Sequence, residues 1–329
     1  MKKIMQFLPD TFTAMIMGTV VLASFLPCYG LGAVIFGHLT TIAIAIMFFM
    51  QGARLSPTAM VAGFSHWRLH LVILAATFVM FPILTFGFHA LFPHLLDSYV
   101  MIGLLYISLL PSTVQSSIAF TSIAHGNVPA AICAATFSTL LGVVVTPIAA
   151  GLLLGLHHGG MDFRGIEDVF AELLLPFLIG QLLRPWIADW AARNHSLLKI
   201  TDRGSIILVV YTAFSAAVVG GIWHRLPLSG FGEIILANAI LLAAALLLTT
   251  YGSRFLGFKK PEEIAIVFCG SKKSAATGVP MANILFGAST VGFIVLPLII
   301  FHQMQLLACS IIAKHYARKH EEAQAQVKA

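Results

Sequence analysis

Apolar residues in this chain come in runs long enough to cross a bilayer, and the connections between the runs are short. A spanning helix needs about 20 consecutive, mostly apolar residues. Ten such runs are expected as spans: Thr11–Pro27, Ala33–Met50, Leu69–Phe92, Tyr99–Ala124, Pro129–Leu156, Val169–Leu183, Ser205–Trp223, Ile234–Tyr251, Glu263–Phe286 and Val291–Ala313. Ser56–Trp67 is too short and too polar to span, so it is expected along the surface. Of 329 residues, 59% are hydrophobic and 10% charged, against about 25% charged in soluble domains. These features predict an all-α polytopic membrane protein and exclude a large soluble enzyme. The net charge of +6 comes from basic residues in loops between spans. The lipid bilayer, and not nucleic acid, is therefore the expected macroscopic partner. Cys28, Cys133, Cys269 and Cys309 show neither zinc spacing nor a disulfide pattern. The start, Met1-Lys2-Lys3 and an apolar run, imitates a signal peptide. Leu26-Pro27-Cys28 is no small-x-small cleavage site, so the run is kept as a first span.

Charge asymmetry orients the spans, since inner loops carry an excess of Lys and Arg. With the N-terminus inside and ten crossings, fifteen of the nineteen basic residues fall on the inner side, from Lys2 and Lys3 through Arg54, Arg184 and Arg254 to Lys328. Only Arg164 and Arg225 fall outside, and Lys272 and Lys273 lie within the ninth span. Both termini are therefore expected in the cytoplasm, with the protein in the inner (plasma) membrane.

The ninth span contains Phe268-Cys269-Gly270-Ser271-Lys272-Lys273-Ser274, followed by Gly278 and Pro280. A lysine at the centre of a spanning helix costs about 2.5–3.5 kcal/mol on insertion scales, so such residues mark functional sites. The fourth span is interrupted too, by Leu110-Pro111-Ser112-Thr113-Val114-Gln115-Ser116-Ser117. Ten spans divide at the outer loop into five and five, which inverts one half relative to the other. Interrupted spans at matching positions of two inverted halves point to a transporter's binding site. The expected organisation is a first repeat over 1–157, a linker over 158–164, a second repeat over 165–315 and a cytoplasmic tail over 316–329.

Several stretches together resemble the bile acid:sodium symporter family, in its divergent SBF-like branch. They are Pro111–Ser117, His125-Gly126-Asn127, Ser138-Thr139-Leu140-Leu141, Thr146-Pro147, Thr77–Pro82, Gly180–Pro185, the lysine stretch and Phe301-His302-Gln303-Met304-Gln305. The resemblance implies a panel and a core domain, with discontinuous fourth and ninth helices crossing in the core. In sodium-coupled members the ninth helix brings a Glu, a Gln and an Asn to two sodium sites. Matched by Gly270 and Ser274, those places hold Phe268, Lys272 and Lys273. Thr77 stands for a third-helix Gln and Ser117 for a fourth-helix Asn. Ala131 and Ala135 replace hydroxyl ligands, and Ser116 alone looks kept as a sodium ligand. Hard cations want several oxygen ligands, which phenylalanine and lysine do not supply, so these departures argue against sodium coupling.

Three roles fit the lysines. One ammonium replaces the sodium ion and bridges the crossed helices through Gln115, Ser116 or half-helix carbonyls; Lys273 is favoured here. The pair binds an anionic substrate group, with Lys272 facing the cavity. Or one lysine carries a proton. Of thirteen acids none lies near the middle of a drawn span; Glu172 comes closest. The candidate substrate and ion residues are Thr77, Ser112, Thr113, Gln115, Ser116, Ser117, Lys272, Lys273 and Ser274. Gln181, Tyr211, His302 and Gln305 are secondary candidates. The expected function is secondary-active transport of a small organic, anionic solute by alternating access, proton-coupled or uncoupled, by a monomer without a cofactor. A sodium symporter with rearranged ligands and a non-transporting membrane regulator or sensor are the alternatives.

Overall fold

In hydrocarbon, backbone N–H and C=O groups find no water, so a spanning segment must pair them internally. The computed structural model, which describes residues 11–54, 66–93, 95–96, 98–153, 170–221, 228–286 and 290–328, meets this requirement with helices. No strand occurs among the described residues. In chain order they are α1 (Thr11–Phe25), α2 (Leu31–Arg54), α3 (Trp67–Leu91), α4 (Ser98–Leu109), α5 (Gln115–Ile123) and α6 (Val128–Leu153). Then follow α7 (Leu175–Arg193), α8 (His195–Val219), α9 (Leu228–Phe255), α10 (Lys260–Gly270), α11 (Ala275–Leu285) and α12 (Val291–Lys328). Two π-helical turns interrupt the regular geometry, Ala76–Met80 inside α3 and Phe170–Leu174 ahead of α7.

Seven described helices are by themselves long and apolar enough to cross a membrane. The chain is a multi-pass membrane protein. The fourth and ninth expected spans are not continuous helices. Each is a pair of short ones, α4 with α5 and α10 with α11, and the described part of the first span is 15 residues long. Another difference lies between Arg184 and Arg203, which hydropathy assigns to a loop. Here α7 runs through Pro185 to Arg193, and α8 starts at His195. Hydropathy marks only the greasy part of a helix, and these two continue into polar sequence. Likewise α12 passes residues 315 and 316 without a break. The linker 158–164, Arg164, Arg225, Lys2 and Lys3 lie outside the described residues, as does Ser56–Ser65 of the expected surface segment.

The helices pack in two groups. In one, α1, α2, α7 and α8 lie chiefly on one another; in the other, α3–α6 surround α9–α12. The groups meet chiefly where α8 packs against α11 and α12, and also where the π-turn ahead of α7 touches α6. Association within a membrane relies on close packing and not on a hydrophobic drive, so small residues line tight crossings. The α2–α7 contact is such a crossing. A Cβ added at Gly180 would stand 2.0 Å from the Phe49 carbonyl oxygen, and one at Gly52 2.1 Å from that of Phe177.

Two ion-pair clusters tie helix ends. Arg54 forks onto both oxygens of Asp202 at 2.7 and 3.0 Å, joining α2 to α8. The buried Glu263 takes both Nε and Nη2 of Arg254, the Lys260 ammonium at 2.8 Å and the Tyr316 hydroxyl at 2.8 Å, joining α9, α10 and α12.

Gly180→Ala should force α2 and α7 apart and destabilise the protein by about 1–3 kcal/mol, the usual range for overpacking. Gly204→Ala, whose Cβ would meet nothing within 4 Å, should leave stability unchanged or higher. Thermal unfolding of the purified variants in detergent reads both.

Candidate functional site

Helix α4 stops at Leu109 because Pro111 has no N–H to return to the helix and its ring clashes with the preceding turn. The Ser112 N–H turns instead to Ser138 Oγ at 3.0 Å. In the facing segment α10 closes with the Ser271 N–H on the Val267 carbonyl, and α11 restarts after Ser274, whose Oγ accepts the Thr277 N–H. Each break leaves carbonyls that no helical N–H reaches. The two breaks lie against each other and satisfy one another's groups. Ser112 Oγ donates to the Cys269 carbonyl at 2.6 Å and Ser117 Oγ to that of Phe268 at 2.8 Å. In return the Ser274 N–H donates to the Pro111 carbonyl at 2.9 Å. Thr146 Oγ1, from α6, covers the Leu109 carbonyl at 2.8 Å.

Lys273 closes what remains. Its side chain is fully buried, and Nζ lies 2.6 Å from the Thr77 carbonyl, 2.7 Å from that of Ser108 and 2.9 Å from that of Leu110. Three acceptors around one nitrogen use three N–H donors, the number an ammonium has. The Ser108 and Leu110 carbonyls are free because α4 has broken. The Thr77 carbonyl is free for a different reason. In the π-turn the Phe81 N–H bonds back to Ala76, and the next residue, Pro82, has no N–H. The ammonium also sits at the C-terminal, negative end of α4, under the Phe81 ring, whose centroid is 4.2 Å away. Gln305 holds the Lys273 backbone from α12. Its Oε1 accepts the Lys273 N–H and its Nε2 donates to the Lys273 carbonyl, both at 2.8 Å. That pairing fixes the amide's orientation. Gln305 Nε2 is therefore the donor to His302 Nδ1, also 2.8 Å away, and Nδ1 is the acceptor.

Lys272 is as deeply buried, yet its Nζ has no hydrogen-bond partner. It lies over two ring faces, 4.0 Å from the centroid of Phe120 on α5 and 5.6 Å from that of Phe268 on α10. These rings pack together at 5.9 Å, and Phe268 meets Tyr316 at 6.3 Å. Lys272 therefore does not face an open cavity in this conformation.

A family model for the SBF-like CPA transporter family matches residues 10–318. The chain belongs to that family. Among curated relatives, PA2026 of Pseudomonas aeruginosa, whose name states no function, is 51% identical over 321 residues, 97% of this chain and 96% of that protein. YfeH of Escherichia coli K12, whose name proposes a symporter, is 49% identical over 317 residues, 96% of each chain. Sodium/bile acid cotransporter 7 of Xenopus tropicalis is 30% identical over 281 residues, 83% of this chain and 81% of that one. The family is one of transporters and not of enzymes, and this SBF-like protein is accordingly a membrane transporter.

Within this SBF-like chain, Ser112, Ser117, Lys273 and Ser274 meet at the facing breaks. Thr113 belongs with them, its Oγ1 within 2.8 Å of Ser116 Oγ and 2.9 Å of Ser117 Oγ. Thr77 contributes its carbonyl, while its hydroxyl donates to Ile73 within its own helix. Gln115 is exposed on α5, and the Lys273 ammonium reaches neither it nor Ser116. Gln305 is at the site and His302 touches it through Gln305. Gln181 lies in the α2–α7 crossing, where its backbone N is 3.0 Å from the place of a Gly52 Cβ. Tyr211 donates to the Leu26 carbonyl at 2.9 Å and packs on Phe36, away from the breaks. The Ser108 and Leu110 carbonyls were expected only as unnamed half-helix carbonyls, and Phe81, Phe120, Ser138 and Thr146 were not named as site residues. Only Pro82 and Pro111, which withhold N–H groups, signal where free carbonyls occur.

The two lysines should differ sharply when replaced by methionine. Lys273→Met strands three buried carbonyls, each costing about 1–3 kcal/mol when left without a donor, and should cost about 3 kcal/mol or more. Lys272→Met, a swap of similar volume, removes a group without a partner and should cost less than about 1.5 kcal/mol. Unfolding curves of the two purified variants decide it.

Proposed function

We propose that this transporter moves a small organic anion by alternating access and without sodium, the Lys273 ammonium standing permanently where a coupling ion would bind. The observation that carries the reading is the set of three carbonyls around Lys273 Nζ, at 2.6–2.9 Å. A free sodium ion would want those same hard oxygen atoms, and the ammonium has taken them. A second cation beside it would also be repelled strongly at low dielectric. The donor set therefore does not fit sodium, and Ser116, the best remaining hydroxyl, is engaged with Thr113.

Ten spans in two inverted repeats, over 1–157 and 165–315, fit part of the packing. If α1–α6 are exchanged for α7–α12, contacts turn into contacts: α1–α8 into α7–α2, α3–α4 into α9–α10, α4–α12 into α10–α6, and α5–α6 into α11–α12. The site follows the same exchange, since Ser138 of α6 takes the Ser112 N–H as Gln305 of α12 takes the Lys273 N–H. On this scheme α1, α2, α7 and α8 form the panel and the remaining helices the core. The exchange is incomplete: α3–α10, α5–α10 and α5–α12 have no comparable counterpart, and α8 packs on α11 and α12, whereas no comparable α2–α5 or α2–α6 packing occurs among the described residues. With both termini cytoplasmic, α11 is the outer half of its span and α5 the inner half of its own. That asymmetry supports a state closed outside and open inside, in which Gln115 and Ala119 on α5 are exposed. The ion clusters of Arg54 and Glu263 then lie at inner helix ends, in an inner-membrane orientation. The N-termini of α5 and α11 begin at mid-depth and favour negative charge, which supports an anionic solute.

Solutes are found first as organic carboxylates, sulfonates or phosphates that raise the thermal stability of the purified protein. Uptake of a stabilising compound into proteoliposomes, with and without an inward sodium gradient, then tests the reading. Uptake should be unchanged when sodium is replaced by choline. Strict dependence on sodium would overturn the proposal in favour of a sodium symporter, as the printed name of the Xenopus relative says of that protein. Absence of uptake for every stabilising compound would favour a membrane sensor.

A further inference from the structure

Lys272 has no role in the reading so far. Its neighbour Lys273 gives three hydrogen bonds to three carbonyls, while Lys272, equally buried, gives none. Burying a charge with neither counter-charge nor acceptor is among the most unfavourable arrangements in a protein interior. The Phe120 and Phe268 faces attract a cation, but less than water would. The surroundings bring no compensation. The titratable groups facing Lys272 are the thiols of Cys269 on α10 and Cys309 on α12, besides Lys273 on its own segment. From α5 comes Phe120, which does not titrate. The buried acid Glu263 lies at the other end of α10, beyond Phe268 and Tyr316, with its oxygens committed to Arg254, Lys260 and Tyr316. The same Phe120–Phe268–Tyr316 packing separates Lys272 from the inner end of the helices.

We propose that Lys272 is the proton carrier of this transporter: a free amine in the closed aromatic pocket described here, and an ammonium once that pocket opens to water. The proposal rests on the sodium-independent transport reading and names its coupling ion. When Phe120 and Phe268 part, the amine lone pair takes a proton from water on the side then facing it. The ammonium keeps that proton while access changes, gives it to water on the opposite side, and the rings then close over the neutral amine. No acceptor, metal or further reactant is needed. Lys273 cannot perform this exchange, because its three carbonyls hold all three of its protons in place.

The experiment uses the full-length protein in lipid nanodiscs, labelled with ¹³C and ¹⁵N at lysine. Magnetic resonance should show one lysine side chain as a neutral amine at pH 9, and that signal should vanish in Lys272→Met. As a second reading, the same protein in proteoliposomes on a sensor surface is exposed to a jump from pH 8 to pH 6. The wild-type chain should give a transient proton-displacement current, reduced to background in Lys272→Met and kept in Cys309→Ser. The proposal is overturned if every lysine is an ammonium across the titration, or if Lys272→Met keeps the full current. Neither measurement requires a solute. A chain that moves no solute would sink the transport reading while these signals still decide Lys272, and sodium-independent uptake with an unchanged current in Lys272→Met would sink only the proton carrier.

Discussion

The core of this protein depends on one requirement: every carbonyl released by two broken helices must find a donor where no water is present. A helix end at mid-depth leaves oxygens that, unpaired in hydrocarbon, cost several kcal/mol each. Six donors help to meet that demand: the hydroxyls of Ser112, Ser117 and Thr146, the Ser274 N–H, the Gln305 side-chain amide and the Lys273 ammonium. Four of the six come from the broken spans themselves. The interruption in one span is thus stable only because the other is interrupted opposite it. Lys273 is the part of this arrangement that reaches furthest, because its third carbonyl belongs to α3. It ties a third helix to the junction and gives the π-turn at Ala76–Met80 a structural use.

A tethered ammonium differs from a bound metal ion in one decisive respect. A metal ion exchanges with solution and so can report on its concentration; a side chain cannot leave. If Lys273 fills the place of an exchangeable cation, the free energy for coupling has to enter elsewhere. The neighbouring residue offers the contrast. Adjacent residues of a regular helix point about 100° apart, and the irregular backbone at Ser271–Ser274 separates them further in environment. One lysine lies among carbonyls beneath Phe81, the other among ring faces. Two identical side chains, one bond apart in sequence, are thereby divided between a structural charge and a group with no partner.

Much of this was legible in the sequence, for identifiable reasons. Proline and glycine announce broken helices, so the interruptions at Pro111 and after Gly270 could be placed. Two lysines inside an apolar run are too unfavourable to lack a purpose, so the site itself could be found. Its partners could be named only in kind, as half-helix carbonyls, because carbonyl oxygens are common to all residues and leave no signature. Ser108 and Leu110 act only through their backbones, and Thr77 acts through an oxygen freed at a π-turn of which Pro82 is the one sign in the sequence. Gln305 stood out as polar in a span, but whether it binds a solute or holds a neighbouring backbone depends on which helix α12 faces. The lengths of α7 and α8 were misjudged for a simpler reason: hydropathy locates the lipid-facing part of a helix and says nothing about its polar continuation.

The clusters at the helix ends bear on how such a core can move. Glu263 is buried, yet its donors Arg254 and Lys260 are about half exposed, at 48% and 51% of their side-chain surface. Exposed donors on flexible stems contribute little individually, but here they converge on one carboxylate and join α9, α10 and α12. They fasten helices of the same packing group to each other. The Arg54–Asp202 fork does likewise for α2 and α8 in the other group. Neither cluster crosses between groups, and the contact of α8 with α11 and α12 that does so is built from apolar and small residues, Ala213 and Ala217 against Gly292 among them. Strong directional bonds thus lie within each body and weakly directional packing lies between them. The proposed alternating access requires the two groups to move relative to one another, and on this division such a movement would break no ion pair among the described residues.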